Sequence, residues 1–337
     1  MDRPAVTVVL PARDAAGTIA AAVASIRAQT RGDFELLVID DGSRDDTVAK
    51  ALAAAGDDPR VRVIRRGRDG LVAALNAGIA LSSAPLVARM DADDVSLPRR
   101  LECQVELADR RPDLAVIGCR VRALPEEALT DGMRHYLAWL DSVITPDEVG
   151  RDLYVESPFA HPSVLMRREV VLAAGGYRDG AFPEDYDLWL RLHAAGHAMG
   201  KVPEVLLEWR EGPGRLTRTD PRYGADAFRR LKARSLAGTF LAGHAEVQVW
   251  GAGPDGRKWR RALAEQGVRV VRFFDIDPRK IGRVLGGGAL VLDWRRVPRH
   301  RDCPLLVAVG TKGARPIVRD ELVRMGFVET VDFRCVQ

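Results

Sequence analysis

Cysteine is scarce in this chain, four in 337 residues, and no two stand in a C-x-x-C pair. Neither a zinc site nor a thioredoxin-type centre is expected, and Cys103, Cys119, Cys303 and Cys335 read as reduced thiols. No apolar run approaches the ~20 residues that a membrane-spanning helix needs. The chain passes from Met1-Asp2-Arg3-Pro4 straight into a strand-like run, so no signal peptide is expected. Net charge is small, +4, and basic residues are interleaved with acidic ones, as in Arg99-Arg100-Leu101-Glu102. That pattern is a solvated surface and gives no stripe for nucleic acid. These absences predict a cytoplasmic protein without a nucleic-acid partner. They leave peripheral contact with a membrane face open, since Arg65-Arg66 and Arg229-Arg230 could meet a diphosphate or an anionic lipid surface. What is present is an ordinary globular composition at a length that suggests two domains.

Short, nearly continuous apolar runs mark the first hundred residues. Val6 to Leu10, Phe34 to Ile39, Val61 to Ile64 and Pro85 to Met90 read as buried strands. Gly17 to Gln29, a stretch opened by Asp45-Asp46-Thr47, and Gly70 to Ala80 read as the helices between them. This alternation predicts parallel strands with right-handed crossovers. The loops after the first, second and fourth strands all carry aspartates, at the strand ends where open α/β sheets bind ligands.

The densest of these loops is Ala88-Arg89-Met90-Asp91-Ala92-Asp93-Asp94. Asp91 and Asp93 are two apart and face the same way in extended chain. Paired carboxylates suit Mg²⁺ or Mn²⁺ better than zinc. Magnesium is usually held by one or two carboxylates together with substrate phosphates, so the expected substrate carries a diphosphate. An acidic turn capping the next helix is the plainer reading of the same residues.

Further motifs decide between the two. Pro11-Ala12-Arg13-Asp14, Ile39-Asp40-Asp41-Gly42-Ser43, Gly70-Leu71 with Leu75-Asn76-Ala77-Gly78-Ile79, and the Asp91 stretch follow one another in order. They are followed by His161-Pro162-Ser163, Gly175-Gly176-Tyr177 and Glu184-Asp185-Tyr186-Asp187-Leu188-Trp189. The ordered set, from about residue 4 to 218, resembles family 2 glycosyltransferases with a GT-A fold.

The resemblance implies roles. Pro11, Ala12, Arg13 and Asp14 would line the nucleotide, with Arg13 where an aromatic is often found. Asp40 would accept a hydrogen bond from the base, most often uracil, whose N3–H needs an acceptor. Asp41 would shape the same turn, and Asn76 would belong to the donor site. Asp91 would contact the ribose or the metal, and Asp93 would ligate the metal. Asp185 is implied as the catalytic base, at a helix start whose dipole also favours a carboxylate. His161, Glu184 and Trp189 are candidates for acceptor or phosphate contacts, although a lone histidine reads equally well as structural. Glu208 to Arg218 resembles the segment that closes over the diphosphate. It has no histidine near Gly212, so Arg215 and Arg218 would supply charge in place of a third metal ligand. The implied activity is a metal-dependent inverting transfer using Mn²⁺ or Mg²⁺. A sugar would pass from a nucleotide-diphosphate donor, a UDP-sugar, to a saccharide or lipid-linked saccharide hydroxyl in polysaccharide or glycoconjugate synthesis.

The tail reads as a second domain. Val247 to Trp250 is a strand, followed by Gly251-Ala252-Gly253-Pro254-Asp255-Gly256 and a helix with Trp259, Ala262 and Leu263 inward. Val268 to Phe274 is the next strand and ends at Asp275, which completes a G-x-G-x-x-G pattern with an acid about 20 positions on. Leu305 to Val309 and a helix with Val318, Leu322 and Met325 add another unit. The expected architecture is α/β throughout: a GT-A domain over 1–238, a linker at 239–244, and a small Rossmann-like domain over 245–337. The tail resembles the short sugar-nucleotide-binding domains attached to some sugar acyltransferases. Gly251, Gly253, Gly256 and Asp275 are candidates for a nucleotide site there. A degenerate domain used for contacts or homo-oligomerisation is a second reading. An NAD-dependent oxidoreductase ranks last, because no separate substrate domain accompanies the fingerprint. For the whole chain, a non-catalytic sugar-nucleotide-binding scaffold stays open. Nucleotidylyltransfer is disfavoured by the Glu184-Asp185 motif and by the lack of a glycine-rich, basic loop after strand one.

Overall fold

The computed structural model describes residues 3–212, 215–298 and 303–337. Strands β1 (Val6–Ala12), β2 (Phe34–Asp40), β3 (Val61–Arg65) and β4 (Leu86–Arg89) are parallel and lie in the order β3-β2-β1-β4. Helices α1 (Ile19–Arg27), α2 (Thr47–Ala55) and α3 (Leu71–Leu81) connect them. All seven residues of β1 are buried, which is why its sequence shows no alternation: both faces of a central parallel strand are covered. Helix α3 can lie close to β1 because residue 78 is glycine; a Cβ there would stand 2.3 Å from Val9 Cγ1.

Strands β5 (Val95–Ser96), β6 (Leu114–Leu124), β7 (Leu165–Arg167) and β8 (Ala198–Arg210) extend this to eight strands, ordered β3-β2-β1-β4-β7-β6-β8-β5. β7 runs antiparallel to both neighbours. Helices α4 (Arg100–Arg110), α5 (Asp131–Ser142), α6 (Pro146–Asp152), α7 (Arg168–Ala173), α8 (Glu184–Ala194) and α9 (Leu216–Thr219) accompany these strands. The run His161-Pro162-Ser163-Val164-Leu165-Met166 reads in the sequence as one strand, but it is a 3₁₀ turn at His161–Ser163, with strand only from Leu165. Pro162 has no N–H to give a ladder there. β8 was not anticipated: Pro203 interrupts its pattern, and its pairing with β6 skips from Val202 to Val205. Glu208 to Arg210, expected in a closing loop, are the end of this strand. Pro213 and Gly214 of that segment lie outside the described residues.

The chain divides into two units. One takes residues up to Val149, Pro158–Gly180 and Glu184–Thr219; the other takes Gly150–Ser157, Ala181–Pro183 and Asp220–Gln337. The second unit therefore begins before the expected boundary at 238. Helix α10 (Ala225–Ala237) belongs to it and packs on α11 (Pro254–Ala264). Its six-stranded sheet contains β9 (Glu246–Trp250), β10 (Arg269–Asp275), β11 (Val284–Leu285), β12 (Ala289–Asp293), β13 (Leu305–Val307) and β14 (Phe333–Cys335), in the order β11-β12-β10-β9-β13-β14. All neighbours are parallel except β11 and β12. Helix α12 (Ala314–Arg324) joins the last two strands. The strand order reverses between β9 and β13, as in a doubly wound sheet. Among the described residues, no helix is long and apolar enough to cross a membrane.

The close approach of α3 to β1 is testable. Gly78→Val should lower the stability of the first unit by about 1–3 kcal/mol through overpacking against Val9, read as a shift of its urea transition.

Candidate active site

The loops expected to line the nucleotide come together at the carboxyl ends of β1 and β2. Pro11 and Ala12 are the buried last residues of β1, and Arg13 and Asp14 follow at the surface. Asp14 has φ 49°, accepts the Arg44 N–H at 2.8 Å and pairs with Arg68 at 2.8 Å. Asp40 ends β2, is buried and accepts the Ser43 N–H at 3.3 Å. Asp41 accepts the N–H groups of Asp69 and Gly70, at 2.8 and 3.0 Å, and faces Arg13 Nη1 at 3.4 Å. It therefore shapes the turn leading into α3.

Asn76 is placed differently from the expectation. Its Oδ1 accepts the Tyr177 N–H and its Nδ2 donates to the Tyr177 carbonyl, both at 2.9 Å. Each end of the amide is engaged by the main chain of Tyr177, so Asn76 clamps the Gly175-Gly176-Tyr177 turn. Gly176, at φ +67°, leaves the room: a Cβ there would stand 2.6 Å from Asn76 Oδ1.

The acid turn follows β4. Asp91, Asp93 and Asp94 each offer a carboxylate oxygen, all within 4.8 Å of one another. Burial, and then the Asp91 charge, raises the Asp93 carboxyl above its ordinary range. Asp94 is raised well above its range by burial and by its two neighbours. Its Oδ1 accepts the Arg210 N–H at 2.7 Å, and its Oδ2 is buried with no hydrogen-bond partner. Crowded carboxylates with an orphaned buried oxygen fit a hard divalent cation, which takes oxygen ligands. Arg215 also faces this turn electrostatically, stacks 4.0 Å over Trp209 and pairs with buried Glu211 at 3.2 Å. Arg218 holds the other Glu211 oxygen at 2.5 Å.

The first turn of α8 carries the second group. Asp185 is half-buried, and its Oδ1 accepts the Tyr186 N–H at 2.7 Å. Burial, and then the neighbouring Glu184 charge, pushes its carboxyl up to about 8. His161 faces Glu184 at 3.7 Å through Nδ1 and bonds the Tyr177 hydroxyl at 2.8 Å through Nε2. Burial, and then Arg89, holds His161 well below its ordinary value, so the ring is neutral, and burial keeps the Tyr177 phenol protonated. His161 and Glu184 are therefore engaged with each other and with Tyr177. Trp189, expected at the acceptor, is fully buried edge-on against Phe159 and His161, so it is part of the packed wall behind the first turn of α8. The two groups share one electrostatic neighbourhood, since the Tyr177 phenol lies in reach of both Asp91 and Asp185. Asp94, Glu211 and Arg89 were not assigned roles from sequence. For Arg89 the signal was there, because it stands two residues before Asp91 on the same face of an extended chain.

In the second unit the glycine fingerprint closes its own turn. Gly251 has φ +113°, and a Cβ there would stand 2.5 Å from the Ala308 carbonyl; one on Gly256 would stand 1.8 Å from the Gly251 carbonyl. Gly253 begins α11 as its cap. Asp275 accepts the Ala252 and Asp277 N–H groups at 2.9 Å and the Lys280 ammonium at 3.0 Å. It is 5% exposed, and these three donors already occupy most of its acceptor sites.

A mixed sheet with a parallel half, an acid turn at the end of its fourth strand and a carboxylate at a helix start define a GT-A-type nucleotide-sugar transferase. The family model for glycosyl transferase family 2 matches residues 7–173. The amylovoran biosynthesis glycosyltransferase AmsE of Erwinia amylovora is 32% identical over 190 residues, covering 56% of this chain and 68% of that protein. The succinoglycan biosynthesis protein ExoU of Rhizobium meliloti is 44% identical, covering 91% of this chain and 93% of that protein, tail included. A crystal structure of S. aureus TarS with UDP-GlcNAc superposes with a TM-score of 0.56 at 15% identity, over 77% of this chain and 71% of that one. The chain belongs to glycosyltransferase family 2, and it is a glycosyltransferase.

The Asn76 clamp separates the two readings of that residue. Asn76→Ala leaves two main-chain groups of Tyr177 unpaired and should cost about 2–4 kcal/mol in chemical denaturation. UDP affinity, measured by calorimetry on the folded fraction, should stay near wild type; a loss of tenfold or more would restore Asn76 to the donor site.

Proposed function

We propose that this enzyme transfers a sugar with inversion from a UDP-sugar to an alcohol of a saccharide or lipid-linked saccharide, in polysaccharide synthesis. The observation that carries the reading is one acidic cluster fit for a cation beside a single half-buried carboxylate whose pKa is raised. The names of AmsE and ExoU support polysaccharide synthesis, and the TarS complex supports a UDP donor.

In such a transfer the acceptor oxygen bonds to the anomeric carbon as the bond from that carbon to the diphosphate oxygen breaks. The electron pair leaves with the nucleoside diphosphate, and the hydroxyl proton goes to Asp185. A base positioned this way contributes about 10²–10⁴ in rate. Asp91 and Asp93 would hold Mn²⁺ or Mg²⁺, with Asp94 beside them. When bound, the cation supplies neutralisation of the departing diphosphate, so no acid is needed on that side. A retaining hydrolase would instead need two carboxylates about 5 Å apart flanking the sugar. Here the second carboxylate, Glu184, is buried and turned to His161. Arg13 and Asp40 stand on the nucleotide side, and Arg215 and Arg218 would flank the diphosphate.

Three outcomes follow. Asp93→Ala should abolish the Mn²⁺-dependent part of the thermal shift given by UDP. Asp185→Asn should keep that shift and lose transfer by at least 10²-fold; transfer at the normal rate would remove Asp185 as the base. The third concerns pH. Asp185 is protonated below about 8 and a base only above it, so kcat/KM should rise as pH passes through that value. A carboxyl raised on folding stabilises the fold fully at low pH and loses that contribution as pH rises through about 8. Asp185→Asn should remove that slope from a pH series of urea midpoints.

A further inference from the structure

Arg89 is the last residue of β4, and the reading above leaves its side chain unused. The residue is 3% exposed. Its Nη1 is ion-paired with Asp91 Oδ1, while its Nε has no hydrogen-bond partner among the described residues. A guanidinium buried like this is costly unless anions surround it. Those anions come from two separate elements. Asp91 and Asp94 belong to the acid turn, and Asp185 belongs to the first turn of α8; each is within electrostatic reach of Arg89. The main chain of Arg89 is fixed on both sides. Its N–H donates to the Val164 carbonyl at 2.9 Å, and its carbonyl accepts from Arg100 Nη2 at 2.7 Å. Arg100 is itself fully buried and bonded to Gln104 at 3.1 Å, so the strand end is braced from behind.

We propose that Arg89 is a positioning residue shared by both halves of the site, holding the Asp91 carboxylate at the end of β4 and supplying the positive charge opposite Asp185. The second half of this statement rests on the reading of Asp185 as the base; the first half does not. The groups facing Asp185 can be named element by element. Glu184 precedes it on α8 and opposes its ionisation. Tyr177, from the turn before α8, is protonated, and His161, opposite Glu184, is neutral. Arg89, on β4, favours the carboxylate electrostatically. Without Arg89, Asp185 would meet the Glu184 charge with no counter-charge among these groups, and Asp91 would lose its only ion pair among the described residues.

The test compares Arg89→Met with Arg89→Lys in the full chain, after circular dichroism confirms a folded protein. In Arg89→Met the acid limb of kcat/KM should move up by about one pH unit or more. The Mn²⁺-dependent affinity for UDP, titrated at equilibrium, should fall about tenfold, as expected when one partner of a buried charge pair is removed. Arg89→Lys should recover most of both, because it returns the charge. If Arg89→Met does not fold, Arg89→Gln against Arg89→Lys makes the same comparison. A folded neutral variant with both the acid limb and UDP affinity at wild-type values overturns the proposal. The UDP titration is repeated in the Asp185→Asn background, which separates the two failures. If Asp185 is not the base, the pH limb stays still but UDP affinity still falls with Arg89.

Discussion

Three carboxylates within 4.8 Å of one another are the constraint around which this site is built. At that spacing each ionised pair repels by roughly 3 kcal/mol at an effective dielectric near 20, more than the median surface ion pair returns. A chain adopts such a turn only where something holds the main chain and something else offsets the charge. The holding comes from β4, which is paired in parallel to β1 on one side and antiparallel to β7 on the other. The offset comes from Arg89 on the strand itself and from Arg215 beyond β8. Burial first, and then that remaining imbalance, raises Asp93 and Asp94, and a divalent cation would relieve the crowding.

How much of this could be read from the sequence depended on whether a residue acts through local pattern or through distant partners. The parallel strands β1 to β4 were legible because buried strands leave continuous apolar runs, and the loops that follow them carry their chemistry in short motifs. The acid turn and Asp185 were legible for the same reason. Asn76 was not, because it is joined to Tyr177, 101 residues away, and a motif match cannot tell an amide that meets a substrate from one that meets main chain. The buried pair Arg100 and Gln104 was also hidden. α4 shows an ordinary apolar face of Leu101, Val105 and Ala108, and nothing local says that its two long polar residues turn inward as well. There Gln104 Nε2 donates to the Ile117 and Ser163 carbonyls at 2.6 and 2.8 Å, tying β6 to the turn that carries His161. β8 escaped because Pro203 and the bulge beside it break the alternation that marks a strand.

The second unit shows the opposite case, a motif that fits its pattern while the atoms it would offer a ligand are already used. G-x-G-x-x-G followed by an acid predicts a doubly wound sheet correctly, since the close packing of strand, turn and helix requires glycines at Gly251 and Gly256. The same pattern does not secure the ligand. Dinucleotide recognition needs a carboxylate at the end of β10 to meet hydroxyls, and Asp275 already accepts from Ala252, Asp277 and Lys280. The fold half of the fingerprint and the chemical half are separable, and the structure keeps the first.

The proposed role of Asp185 places two conflicting demands on one helix start. A base must be open to its substrate, yet a carboxylate in free contact with water keeps a low pKa and takes a proton poorly. Asp185 is half-buried, with an exposed edge, while the protein around it raises its carboxyl to about 8. Burial and the Glu184 charge alone would push it higher still. The backbone N–H of Tyr186 and the charge of Arg89 pull in the other direction. Glu184 next to it adds repulsion, but its own carboxylate is turned inward to His161. The two neighbouring acids of α8 thereby separate into one buried in the protein and one half-buried with a raised carboxyl, and the difference lies in what surrounds each of them.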